Sequence, residues 1–176
     1  MKDPIVHKSK HLSLVLRHKP ESVGLTLDAS GWVSVQALLP AMRFSMEDLE
    51  RVVADNNKKR FEFNEDKTMI RACQGHSVEV DLKYEEQIPP NILYHGTSRN
   101  FYDSIMTGGL QKMERHHVHL SSDKDTALIV ARRRRDPIIL QVDAASMILE
   151  DFSFFLSTNG VWLVDHIPPG YLKLLV

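Results

Sequence analysis

The sequence predicts an α+β protein in two parts. Three observations support this. Apolar residues recur three and four apart through the first 54 positions, and "KKRFEFNEDKTMIRAC" at 58–73 then alternates. A polar stretch at 76–91, broken by Pro89-Pro90, is followed by short strand-like runs interleaved with helices. The boundary falls in that stretch, giving parts 1–88 and 89–176. A chain of 176 residues, 43% hydrophobic and 26% charged, suits one ordinary domain or two small ones and is not disordered.

Residues 7–18 read as the first helix. Leu12, Val15 and Leu16 share a face with Leu14 beside them, and Pro20 limits continuation past His18 and Lys19. Leu25, Leu27 and Trp32-Val33 flank "DASG", a turn signal that predicts a hairpin-like element. Val35 to Met42 forms a second helix. Ser45 caps a third, with Glu47 and Asp48 in its first turn, short of a strict capping box, and with Leu49, Val52 and Val53 as its apolar stripe. Phe61 and Phe63 share a face, "NEDK" turns the chain, and Met69 to Ala72 return as a hairpin. Three helices and a hairpin follow the order of a winged-helix module, a fold often used on nucleic acids, although many small α+β domains share it. Beyond the boundary the pattern predicts a strand at "ILYHGTS" and a helix at about 99–107 ending at Gly108-Gly109. A strand at "HHVHLSS", a helix over 123–134, and strands at "PIILQVDA" and "GVWLVDHI" complete it.

Charge and cysteine content exclude several classes. The net charge of −1 rules out a bulk polycation, so any contact with nucleic acid rests on a local basic patch. Cys73 is the single cysteine. No internal disulfide or Cys-rich zinc site is possible, and nothing near Cys73 signals an activated nucleophile. The N-terminus lacks the apolar core of a signal peptide, and no apolar run approaches the ~20 residues of a membrane span. A soluble cytoplasmic protein without membrane attachment is expected.

Five stretches carry candidate chemistry. Arg17-His18 ends a greasy helix. The pair is either two cations favoured by the helix C-terminal dipole or part of a pocket for a phosphate. Arg60 opens a hairpin strand, where it is either a solvated strand end or a second guanidinium for the same anion. In "YHGTS" a strand delivers His95, Gly96 lets a ligand approach the backbone, and Thr97 and Ser98 offer hydroxyls; a plain strand end with a turn is the alternative. In "HHVHLSS" His117 and His119 share a strand face, as a hydrogen-bonded half-buried pair or as rings stacked on a ligand. No HExxH and no cysteine cluster completes a zinc site, so no metal is expected. The four arginines of "ARRRRDP" point about 100° apart if helical, so one or two at most enter a site. Trp32 and Trp162 are expected in the core.

Taken together, "LSLVLRHKP", "LDASGWV", "KKRFEF", "IRACQGHS", "YHGTS", "HHVHLS" and "NGVWLVDHIPP" occur in the order of the NAD-dependent RNA 2′-phosphotransferase family, which the chain resembles over nearly its whole length. The resemblance implies a winged-helix-like RNA-binding lobe (1–88) and an ADP-ribosyltransferase-like NAD-binding lobe (89–176). It implies removal of an internal RNA 2′-phosphate, such as that left at a tRNA splice junction. That phosphate attacks the nicotinamide ribose of NAD and nicotinamide leaves. The neighbouring ribose hydroxyl then attacks phosphorus, freeing RNA with a 2′-hydroxyl and ADP-ribose 1″,2″-cyclic phosphate.

The family's catalytic Arg-His-Arg-Arg set matches Arg17, His18, Arg60 and Arg133, with Arg132 the second choice for the last. His18 is implied as a general acid or a hydrogen-bond donor. His95 should hold the adenosine-side ribose and the Gly96 backbone the nicotinamide amide, with Thr97, Ser98, His117 and Ser121 lining the cofactor site. His119 stands where related transferases place a tyrosine against nicotinamide, and Val161 where many of them place a catalytic glutamate. A phosphate nucleophile is already an anion, and a carboxylate beside it would repel it. NAD is the implied co-substrate, without a metal, in a monomeric protein. The rival readings are an ADP-ribosyltransferase that caps phosphorylated nucleic-acid ends and a non-catalytic nucleic-acid-binding module.

Overall fold

The structure, a computed structural model, describes residues 4–56 and 59–175. Within the "NNKK" stretch before Arg60, Asn57 and Lys58 lie outside the described residues. Helices and small antiparallel sheets mix in two compact units, Met1–Lys83 and Tyr84–Val176. Residues 84–88, expected with the first part, are tied to the second. Gln87 N–H donates to the Phe154 carbonyl at 2.9 Å, and Glu86 bridges to Phe155.

In the first unit, α1 (Pro4–Arg17) buries Leu12, Val15 and Leu16, the residues its spacing selects. Each stabilises the fold by roughly 1.5–3 kcal/mol through burial. The helix starts earlier than expected, since Pro4 suits a first helical turn. After β1 (Val33–Ser34) come α2 (Val35–Met42) and α3 (Met46–Ala54). Ser45 and Asp48 form a reciprocal capping box after all. Asp48 N–H donates to Ser45 Oγ at 3.0 Å, and Ser45 N–H donates to the Asp48 carboxylate at 3.1 Å. The hairpin is β2 (Phe61–Phe63) with β3 (Met69–Ala72).

The expected hairpin around "DASG" is a turn without a strand pair. Asp28 closes it with its backbone and carboxylate, but β1 pairs with β3 in the order β1-β3-β2. Edge β3 therefore becomes the central strand, which is why Ile70 is wholly buried. Trp32 is not core. It is half-buried, with the Arg71 guanidinium 4.5 Å above its ring, and Arg71 is held by Glu62 at 2.6 Å.

In the second unit β4 (Ile92–Ser98) pairs along its full length with β7 (Pro137–Asp143), and β11 (Leu172–Leu174) flanks β7. Between them in sequence lie α4 (Tyr102–Gly108), β5 (Leu110–Gln111), β6 (Val118–Leu120) and α5 (Lys124–Ala131). After β7 come α6 (Ala144–Leu149), β8 (Phe155–Leu156), β9 (Trp162–Val164) and β10 (His166–Ile167). A second sheet, ordered β6-β9-β8, joins the first through one bridge, in which Tyr94 and Ser121 exchange backbone hydrogen bonds of 2.9 and 2.8 Å. Leu93, Ile138, Leu140, Val142, Met147, Phe154 and Trp162 fill the core beneath. No helix among the described residues is long and apolar enough to cross a membrane.

Candidate active site

In the first unit the candidate cations gather on one connection. The chain leaving β3 carries Cys73, whose N–H donates to the Arg60 carbonyl at 2.9 Å, and then Ser77, whose N–H donates to the Arg17 carbonyl at 2.9 Å. Ser77 Oγ also bonds His18 Nδ1 at 2.9 Å. Cys73 and Ser77 are four residues apart, so at most about 14 Å of chain separates the anchorage of Arg60 from that of Arg17 and His18. Arg60 Nη1 donates to Asn56 Oδ1 at 3.2 Å, from a buried asparagine just past α3. Arg17 Nε and Nη2 are shielded from solvent. These are not frayed helix and strand ends: each is tied by its backbone or side chain to another element. Sequence reasoning overlooked Ser77 and Asn56. "IRACQGHS" marked the first without showing which residue it would hold.

In the second unit the corner is built on β4. His95 Nδ1–H donates to the His119 carbonyl at 3.0 Å across the junction of the two sheets. Burial, aided by the charges of Arg134 and Arg115, holds the His95 pKa below its ordinary value, partly offset by that bond. The ring is thus neutral, with Nε2 as an acceptor. His119 Nδ1 in turn accepts from Arg115 Nη1 at 3.3 Å, which puts its ring proton on Nε2. His95 and His119 therefore present opposite hydrogen-bonding character.

Other expected residues are placed differently. The strand at "HHVHLSS" covers only Val118–Leu120, so His117 precedes it. Its ring packs 6.1 Å from Tyr84 and 5.6 Å from Phe155, and burial first, then the His116 and Lys112 charges, lowers its pKa. Thr97 and Ser98 are buried, and Ser98 Oγ donates to the Arg135 carbonyl at 2.6 Å, serving as an anchor for that turn. Gly96 is demanded by packing: a Cβ there would lie 2.1 Å from the Ala127 oxygen and 2.9 Å from the Ala131 nitrogen of α5. The Ser121 backbone makes the sheet bridge to Tyr94. Val161 is in the turn before β9, where its N–H donates to Ser157 Oγ at 2.9 Å.

The arginine run is not helical. The helix expected over 123–134 ends at Ala131, and Arg132 to Arg135 form an exposed turn. Arg133 and Arg134 N–H bond back to Val130 and Ala131 at 3.4 and 2.9 Å, three residues rather than four. Pro137 disfavours a helical residue before it, and Asp136 has φ of 51°. The turn is pinned to the end of β4 through Ser98 to Arg135 and through Arg99 N–H to the Asp136 carbonyl at 2.9 Å. Arg133 stands in this turn, and Arg134 lies over the Phe101 ring at 5.7 Å. Among the described residues no cluster of three or more His, Cys, Asp or Glu could hold a metal. A cavity of about 590 Å³ lined by Glu86, Gln87, Phe152 and neighbours contains none of the candidate residues.

Comparison with known proteins supplies the family. Residues 3–166 match the model described as RNA 2′-phosphotransferase, Tpt1 / KptA family. The chain is 52% identical over 172 residues to a protein of Trichormus variabilis named "Probable RNA 2'-phosphotransferase", covering 95% of this chain and 94% of that one. Proteins of the same name from Fusobacterium nucleatum, at 48% identity over 97% of this chain and 99% of the relative, and Flavobacterium johnsoniae, at 51% over 94% and 93%, are similar throughout. A match spanning both compact units, and including every one of the quoted motifs up to "NGVWLVDH", leaves one conclusion: the chain belongs to the RNA 2′-phosphotransferase, Tpt1 / KptA family.

Proposed function

We propose that the protein transfers an internal RNA 2′-phosphate to NAD, giving 2′-hydroxyl RNA, nicotinamide and ADP-ribose 1″,2″-cyclic phosphate through a 2′-phospho-ADP-ribosylated RNA. The first unit is a winged-helix-like RNA-binding lobe and the second an ADP-ribosyltransferase-like lobe. The observation that carries this reading is the shared anchorage of Arg60, Arg17 and His18 on Cys73–Ser77. Two arginines held there by their backbone carbonyls and an imidazole held by its ring suit a dianion on a single nucleotide, because Arg grips phosphate with a two-pronged fork.

The residues of the second unit fit NAD. Neutral His95, with Nδ1–H committed to His119, offers Nε2 to a ribose hydroxyl, and the Gly96 backbone follows it toward the nicotinamide amide. His119, through Nε2–H, and His117, Thr97, Ser98, Ser121 and Val161 complete or support that corner. When bound, NAD supplies an anomeric carbon that loses nicotinamide readily. Arg17, His18 and Arg60 orient the 2′-phosphate for attack there, and Arg133, with Arg132 as the alternative, stabilises the negative charge that crowds phosphorus in the second step. His18 donates to the departing RNA oxygen, as general acid or as a hydrogen-bond donor. The substrate is RNA carrying an internal 2′-phosphate, tRNA at a splice junction among the candidates, and the protein acts as a cytoplasmic monomer without a metal.

The test is an internally 2′-phosphorylated oligonucleotide incubated with and without NAD, with product identification. Cyclic phosphate formed only with NAD is expected. A stable ADP-ribosylated RNA with no cyclic phosphate would mark an end-capping transferase instead, and no NAD consumption a binding module. Arg17→Ala, Arg60→Ala and Arg133→Ala should each lower the rate by roughly two to three orders of magnitude. Arg133→Ala alone should accumulate the ADP-ribosylated intermediate in a labelled-phosphate time course; near-normal turnover by all three rejects the assignment.

A further inference from the structure

Helix α1 carries no acidic residue from Pro4 to Arg17, and its cations divide between two faces. Lys8 turns to α3 and pairs with the Asp48 carboxylate at 2.5 Å. His7, Lys10, His11, Leu14 and His18 follow at spacings of three and four, so they form one stripe, turned away from the buried Leu12, Val15 and Leu16. His7 and Lys10 are exposed, and Leu14 is 43% exposed although apolar. Among the described residues no carboxylate pairs with His7, Lys10 or His11. The stripe runs ~16 Å along the helix axis. It ends at His18, beside Arg17 and held by Ser77.

Helix α3 has the opposite character. It holds Glu47, Asp48 and Glu50 against Arg51, and Asp55 follows at its end. Arg51 is itself taken by Asp55 at 3.4 Å. Helix-turn-helix proteins read nucleic acid with the later helix of the pair. A phosphate chain laid on this later helix would meet net negative charge, whereas α1 offers cations and hydrogen-bond donors without an acid among them.

We infer that the exposed face of α1 is the track for the RNA strand on one side of the phosphorylated nucleotide. Lys10 meets a backbone phosphate, and His7 and His11 donate N–H to phosphate or ribose oxygens. Leu14 lies against a sugar or a base. This rests on the reading of Arg17 and His18 as part of the 2′-phosphate site. A stripe one side chain wide suits a single strand, whose charge and apolar surface alternate as these residues do. An acidic protein segment would match the charge, but only RNA has a reason to continue into Arg17 and His18.

The test is binding, by fluorescence anisotropy, of a short oligonucleotide with one internal 2′-phosphate. The same molecule extended on its 5′ or its 3′ side by about five nucleotides, enough to outrun ~16 Å of helix, is measured beside it. The parent should bind one extended form more tightly than the short one. Lys10→Ala should remove about fivefold of that gain, the upper end for an exposed ion pair, and should lower the log-log salt slope by about 1. Lys10→Glu should abolish the gain, and His7→Ala with His11→Ala should reduce it. Glu47→Gln on α3 should leave it as it is. Circular dichroism and melting equal to the parent's check folding. A gain that survives Lys10→Glu, or no gain from either extension, overturns the track, as does a gain that responds to Glu47→Gln instead. A Lys10→Glu variant that binds extended RNA as before but sediments differently would give this face to a second copy of the chain and overturn the proposal. Turnover is scored separately. No NAD-dependent cyclic phosphate from any of these oligonucleotides would refute the phosphotransferase reading, while binding still decides the track.

Discussion

Gly96 carries two demands that a sequence cannot separate. Its place after His95 suggests a backbone left open to a ligand, whereas its missing Cβ admits the α5 backbone, with Ala127 oxygen 2.1 Å from where that carbon would be. Gly96→Ala should therefore destabilise the fold by about 3 kcal/mol or more through forced separation of strand and helix, whether or not a nucleotide is present. Urea midpoints of parent and variant measure this; a loss under about 1 kcal/mol would mean that α5 shifts freely. The same limit applies to His117, whose pairing with His119 on one face required a strand that begins one residue before Val118–Leu120. Ser98 was legible as a hydroxyl at a strand end, but its acceptor, the Arg135 carbonyl, lies 37 positions away and shows only once β4 and the arginine turn meet.

At the scale of elements, long periodic segments were readable because their apolar stripes repeat over several turns. Helices α1, α2 and α3 and the β2-β3 hairpin fall at or near their expected positions. Strands β5 and β8 span two positions each, too short for any alternation to register, and α6 and β11 were missed with them, while the strand expected at "GVWLVDHI" is two, β9 and β10. The α5 error has a specific cause. Four arginines extend a helical pattern on propensity, but Pro137, the φ of Asp136 and the anchors on Ser98 and Arg99 stop it at Ala131. Capping of α3 was half legible, with Ser45 recognised and the reciprocal bond to Asp48 not. Ser45→Ala should cost about 1 kcal/mol by removing the acceptor for Asp48 N–H. Thermal unfolding of the variant checks this, and an unchanged midpoint would show that water replaces the cap without loss.

For the molecule as a whole, net charge matters as much as any site. At −1 the chain has no global attraction for a polyanion, so RNA affinity depends on a few placed cations. If Arg17, Arg60 and Arg133 meet about three phosphate charges, binding of a 2′-phosphorylated oligonucleotide without NAD should fall with salt with a log-log slope near −2. Fluorescence anisotropy across a salt series measures it; a slope steeper than about −5 would require a broad basic surface absent from this account. What the amino-acid order determined alone is the α+β class, the larger helices, and the residue types able to grip a phosphate, because these depend on local periodicity and on side-chain chemistry. The tertiary structure decided which groups share an anchor: Arg60 with Arg17 and His18 on Cys73–Ser77, and His95 with Arg115 on His119. Such partnerships join positions dozens of residues apart, and only the packing of buried strands and helices brings their backbones within hydrogen-bonding distance.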